Sequence, residues 1–220
     1  MKKQQKGFTL VEIAIVLVII GLLLGGILKG QEMIVQAKIK NAIADFSGIS
    51  AAYHGYADRY RALPGDDANA GTRWGAVVSA TAGNGVVEGI YNSATVTDES
   101  RLWWDHLRRS GFVSGAGTGQ PFNALAGMIG VQTGDGAGGV TLLDAAVPPS
   151  GFSGLIVCSA NLPDKVAIAV DTQMDDGISG QGTVRALLQA APNPPMTVGL
   201  VATPNYAETG TNVYAICRAL

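Results

Sequence analysis

Lys6–Gly30 reads KGFTLVEIAIVLVIIGLLLGGILKG. From Phe8 to Leu28 the run is 21 residues long and holds one charge, Glu12. As a helix it would extend about 31 Å, against a bilayer hydrocarbon core of about 30 Å. The residues ahead of it, MKKQQK, carry Lys2, Lys3 and Lys6. A basic flank stays on the cytoplasmic side, so the long C-terminal portion is expected across the membrane. Glu12 is the anomaly. A carboxylate at the centre of a spanning helix costs about 2.5–3.5 kcal/mol on insertion scales, less near an end. It either rests at the interface or has a partner.

A secretory signal peptide does not fit well. Its apolar region is typically about 7–15 residues and leads to a small-residue cleavage site, whereas this run is longer and Gly25-Gly26 is a poor match to such a site. A plain signal anchor accounts for the length and the basic flank but gives Glu12 no use. The combination Gly7-Phe8-Thr9-Leu10-Val11-Glu12, after a short basic leader and before a long apolar run, resembles the class III signal of type IV pilins and type II secretion pseudopilins. That resemblance implies cutting by prepilin peptidase between Gly7 and Phe8, then methylation of the new amino terminus on Phe8. It also implies self-association into a helical filament, with an inner-membrane assembly platform, other pilins and membrane lipid as further partners. On this reading the Phe8 ammonium and the Glu12 carboxylate are assembly residues. Each is costly alone in an apolar filament core, and the two are far less so when one subunit's Glu12 meets a neighbour's Phe8 amine.

The helical pattern continues past the membrane run. No proline occurs between Phe8 and Leu63. Val35, Ile39, Ala42, Phe46, Ile49, Tyr53, Tyr56, Tyr60 and Leu63 recur at alternating spacings of 4 and 3, a sustained helical stripe. Lys38, Lys40, Asp45, Asp58 and Arg61 lie off it. The stripe suits one helix face packed on a domain, and Pro64-Gly65 stops the helix. Many members of the resembled family carry a proline about twenty residues after the cut, where this chain has Lys29. Gly21, Gly25, Gly26 and Gly30 either soften the helix or allow close helix packing.

Residues 64–220 carry turn signals at short intervals, among them Pro64-Gly65-Asp66, Asn84-Gly85, Asp176-Gly177 and Pro192-Asn193-Pro194-Pro195. Strand-like runs are expected at Gly154–Val157, Thr183–Leu188, Met196–Ala202 and Asn212–Cys217. Asp98 can cap a helix over Glu99–Ser110. Asn161 can cap another with Pro163 in its first turn, or Val166–Val170 can form a strand. The fold class is then α+β: a long N-terminal helix, half spanning and half amphipathic, packed on a small antiparallel sheet. The organisation expected is a leader (1–7), a spanning or filament-core helix (8–28), an amphipathic helix (29–63) and a head (64–220) with a C-terminal disulfide loop. The segments ALPGDDANA (62–70), ESRLWWDHLRRSGFVSG (99–115) and DTQMDDGISGQGTVRA (171–186) also resemble stretches of bacterial pilin-like proteins with larger heads.

Composition narrows the chemistry. The chain has 220 residues, is 47% hydrophobic and 15% charged, and has a formal net charge of −2. Lys and Arg do not cluster beyond the first residues, so no nucleic-acid footprint is expected. Cys158 and Cys217 are the two cysteines, and with His54 and His106 as the two histidines a zinc site is not expected. In an exported head the cysteines pair as a disulfide, the alternative being free buried thiols; pilins commonly carry such a C-terminal bridge. Asp171, Asp175 and Asp176 surround a glycine-containing loop. Calcium is a candidate ligand there, because some pseudopilins bind it in C-terminal loops, although helix-end and turn chemistry accounts for the same residues. Gly134-Asp135-Gly136-Ala137-Gly138-Gly139 satisfies G-x-G-x-x-G without the strand and helix that give the motif meaning. His106 is expected on an exposed helix position. No residue set reads as an active site. Three functions remain: a pilus-like filament subunit, a pseudopilin, or a signal-anchored periplasmic binding or enzymatic protein. The expected location is the inner membrane, single-pass with the head in the periplasm, and then the cell surface or a periplasmic pseudopilus.

Overall fold

The computed structural model describes residues 9–134, 151–197, 200 and 202–220. It divides after Ala37 into two units, and helix α1 (Leu10–Tyr60) contributes to both.

In the first unit α1 is exposed on every side. Leu10, Leu17, Leu22, Leu23 and Leu28 are all more than 60% exposed, and a Cβ added at Gly21, Gly25, Gly26 or Gly30 would meet nothing within 4 Å. An apolar helix open all round is stable only when something apolar covers it. This helix is long and apolar enough to cross a membrane.

In the second unit the predicted stripe becomes the buried face. Ile39, Ala42, Phe46, Ile49, Ala52 and Tyr56 are buried, while Tyr53 and Tyr60 lie half-buried on its flanks. The helix ends at Tyr60, three residues before the position expected. Arg61 takes a left-handed φ of 55°, its N–H closes the last turn on the Ala57 carbonyl at 2.9 Å, and Pro64 disfavours helical geometry just beyond. A short helix, α2 (Ala70–Trp74), follows; nothing in its five residues signals it by period.

Helix α3 (Glu99–Arg109) lies where expected, but it is buried almost all round, with Leu102, Trp103, Trp104 and Leu107 inside. Helix α4 (Asp164–Met174) resolves the Val166–Val170 alternative in favour of helix and buries Val166, Ala167 and Val170. Its N-cap is Pro163 rather than Asn161. Asn161 instead sits inside a strand at a left-handed φ of 58°, at the irregularity between Ser159 and Leu162.

The sheet contains β1 (Ile129–Thr133), β2 (Leu155–Pro163), β3 (Val184–Leu188) and β4 (Val213–Ala219) in the order β1-β2-β4-β3. All neighbours are antiparallel. Ile156, Cys158, Ala160, Ala215 and Cys217 meet Tyr91, Phe152, Met196 and Ala202 in one cluster. Strand alternation sends Val157 and Ile216 to the opposite face, and these are equally buried. Both faces being covered explains why the strands read as apolar runs rather than alternations. Two expectations change here. Strand β1 was not anticipated. Among the described residues of Met196–Ala202 there is no strand; Met196 and Ala202 go to the core from a loop.

Both sheet edges are occupied. Thr133 N–H donates to the Val87 carbonyl (3.2 Å) beside β1, and Thr203 N–H to the Ala186 carbonyl (2.9 Å) beside β3. A covered edge cannot template another strand.

Candidate functional site: the amino-terminal segment and the acidic loop

Gly7 and Phe8 lie outside the described residues; Thr9 and Glu12 do not. The Glu12 Oε2 accepts from the Thr9 N–H (2.7 Å) and the Thr9 hydroxyl (2.8 Å), and the Thr9 Oγ1 accepts from the Glu12 N–H at 3.3 Å. This reciprocal arrangement is a capping box, in which two otherwise orphaned N–H groups of the first turn are satisfied. Sequence reasoning took Glu12 as a residue awaiting a partner and missed this one, though Thr-x-x-Glu before an apolar run is the legible signal. The cap opens α1 at Leu10, two residues after the Gly7–Phe8 bond.

The second candidate lies between α4 and β3. Asp171, Asp175 and Asp176 each bring a ligand atom within 4.8 Å of the others. Four of their six carboxylate oxygens accept hydrogen bonds from described residues. The buried Asp171 accepts from the Tyr206 hydroxyl at 2.7 Å and from the Gly177 N–H at 3.2 Å. Asp175 accepts from the N–H groups of Thr183 (2.6 Å) and Val184 (3.0 Å), and Asp176 from that of Ile178 (2.8 Å). Burial pushes the Asp171 carboxyl above its ordinary value, and the nearby Asp175 and Asp176 add to the rise. Asp175 ties the loop after α4 to the start of β3, while Asp171 and Asp176 hold the loop's own N–H groups and Tyr206.

Cys158 and Cys217 form a disulfide with an S–S distance of 2.04 Å. They stand opposite each other on β2 and β4, wholly buried.

His106 is buried, not exposed. Its Nδ1 accepts from the Gly65 N–H at 2.9 Å, its Nε2 faces the Val77 carbonyl at 3.4 Å, and its ring stacks near Tyr56. The α3 sequence misleads because its polar residues also face inward: Glu99, Ser100, Asp105 and His106 are all buried. The partners account for this. Glu99 accepts from the Glu88 N–H at 3.0 Å, and Asp105 pairs with Arg109 at 2.6 Å. His54 is exposed beside Tyr53. The glycine-rich stretch beyond Gly134 lies outside the described residues.

The segments 62–70 and 99–115 interlock. Asp66 accepts from the N–H groups of Gly83, Asn84 and Gly85. Asp67 accepts from the Tyr56 hydroxyl at 2.6 Å and pairs with Arg73. Gly65 has a φ of 87°, and a Cβ there would fall 2.4 Å from the Glu99 carbonyl oxygen. These residues are loop anchors.

Residues 2–28 match the model of the prokaryotic N-terminal methylation motif. That motif is the prepilin signal of type IV pilins and pseudopilins, and the chain is pilin-like in its signal and in its α+β architecture. No curated protein and no solved structure matches it.

Proposed function

We propose that this chain is a structural subunit of a type IV pilus-like filament. Prepilin peptidase cuts it between Gly7 and Phe8, the Phe8 amine is methylated, and residues 8–28 hold it in the inner membrane with the head (64–220) on the periplasmic side. The assembly platform and other pilins then carry it into a fibre through α1. The observation that carries this reading is the prepilin signal on an apolar helix that nothing among the described residues covers. Lipid covers that surface before assembly, and neighbouring copies of the same helix cover it afterwards.

Glu12 acts at the exchange. In a single chain Thr9 satisfies it locally; in the fibre a neighbour's Phe8 ammonium supplies the opposite charge. Glu12→Ala is expected to be inserted and cut but to assemble poorly. Normal assembly of that variant would remove Glu12 from the mechanism.

N-terminal sequencing and intact mass of protein from membranes and from sheared surface material test the whole reading. A chain beginning at methylated Phe8 in the sheared fraction is the expected result. Phe8 confined to membranes would favour a pseudopilin, and a retained Met1 or Lys2 would overturn both.

A further inference from the structure

Asp45 stands apart from the buried carboxylates of the second unit. Asp66, Asp67, Glu99, Asp105, Asp164 and Asp171 are buried, and each is answered by protein donors. Asp45, on the flank of α1, is half-buried and has no hydrogen-bond or ion-pair partner among the described residues. Burial raises its pKa, the mark of a carboxylate that has lost water without gaining a donor. The cost is unexplained within one chain.

Asp45 borders a groove of about 340 Å³, whose other walls include Trp104, Phe112, Phe122 and Ile129. Phe122 is 61% exposed. A carboxylate on an aromatic-walled groove is complementary to a long cationic side chain. The charge meets the carboxylate, the ring faces attract the cation, and the methylenes cover the rings.

We propose that this groove receives an α1 lysine, Lys38 or Lys40, from a second copy of the chain, and that Asp45 is its counter-charge. The proposal rests on the filament reading, which brings copies together through α1, the helix that forms one wall of the groove. Charge complementarity selects the residues. Lys29 is already paired with Glu32 at 2.7 Å, whereas Lys38 and Lys40 have no ion pair among the described residues.

The test uses the full chain in cells that assemble it, with its melting temperature in detergent as the control. Asp45→Asn is expected to melt no lower than the unsubstituted chain and to lower sheared filament about tenfold or more, the scale of losing a desolvated charge pair. Asp45→Lys is expected to abolish assembly, with Lys38→Asp or Lys40→Asp in the same chain restoring it. Asp45→Asn filaments at normal yield would overturn this inference alone. So would a melting temperature that falls along with assembly, which would place the role inside the monomer. Failure of both swaps to rescue Asp45→Lys would show that the cation is not an α1 lysine of a second copy. An unsubstituted chain that never leaves the membrane would overturn the filament reading as well.

Discussion

At the scale of the residue, the head is organised by buried acceptors that each hold one loop. Asp66 is the clearest case, because it gathers three consecutive N–H groups, those of Gly83, Asn84 and Gly85. Asp66→Ala leaves those donors without it and is expected to destabilise the head by about 1–3 kcal/mol, read by denaturant unfolding in detergent. His106 makes a second residue-scale prediction. Burial holds its pKa below the ordinary histidine value, in keeping with an Nδ1 that accepts from Gly65 and so carries no proton. The unfolded chain therefore takes up a proton at about pH 6.5 that the folded chain refuses. Stability is fully present above that pH and is lost as pH falls toward the folded pKa. The melting temperature should drop between pH 7 and 5, and His106→Gln should flatten that slope. The same slope in the variant would exclude His106 as its source.

Elements bring in the contacts that no local pattern encodes. The disulfide joins opposite positions on β2 and β4 across a sequence separation of 59. In the chain-entropy account a loop of that length contributes about 4 kcal/mol. The double substitution Cys158→Ala, Cys217→Ala is expected to cost about 2–5 kcal/mol, measured by thermal unfolding. Helix α1 was legible because its stripe repeats for nine positions, and the prepilin signal because it is contiguous and has fixed spacing. Strand β1 was not, for reasons visible in its residues. It is five residues long, includes Gly130, and buries Gln132. Gln132 belongs inside only because it accepts from the Tyr91 N–H (2.9 Å) and donates to the Met196 carbonyl (3.1 Å), and both partners are remote in sequence. Met196–Ala202 failed in the other direction. Burial makes a segment apolar whether or not it joins a ladder, so a short apolar run does not identify a strand. The acidic loop was half legible: the spacing of Asp171, Asp175 and Asp176 puts them near one helix end, but their donors, Tyr206 and Thr183, come from elsewhere. Because hydrogen bonds within the chain already hold this loop without an ion, excess calcium or chelator is expected to leave the melting temperature unchanged. A rise of several degrees with calcium would make the loop a cation site.

At the scale of the whole molecule, the chain contains two solutions to the problem of apolar surface. In the first unit the surface is left open, and in the second it is enclosed with a disulfide and buried acceptors. Glu12 belongs to the first unit and Ile39, the first fully buried residue of the head's stripe, to the second, 27 positions further along the sequence. Substitutions this far apart with no shared partner are expected to act additively. Glu12→Ala should therefore lose assembly while the head unfolds at its normal temperature. The cysteine double variant should lose several degrees of head stability and, on the proposed filament reading, still be cut between Gly7 and Phe8, since neither cysteine belongs to the amino-terminal signal. Combining the two should add the defects without deepening either. Processing is read by intact mass, head stability by thermal unfolding, and assembly by the sheared fraction, each from one preparation of the full chain. If Glu12→Ala lowered the head's melting temperature, or loss of the disulfide blocked cleavage, the two units would be coupled. The helix would then have to be treated as part of the head's folding rather than as an anchor that the head carries.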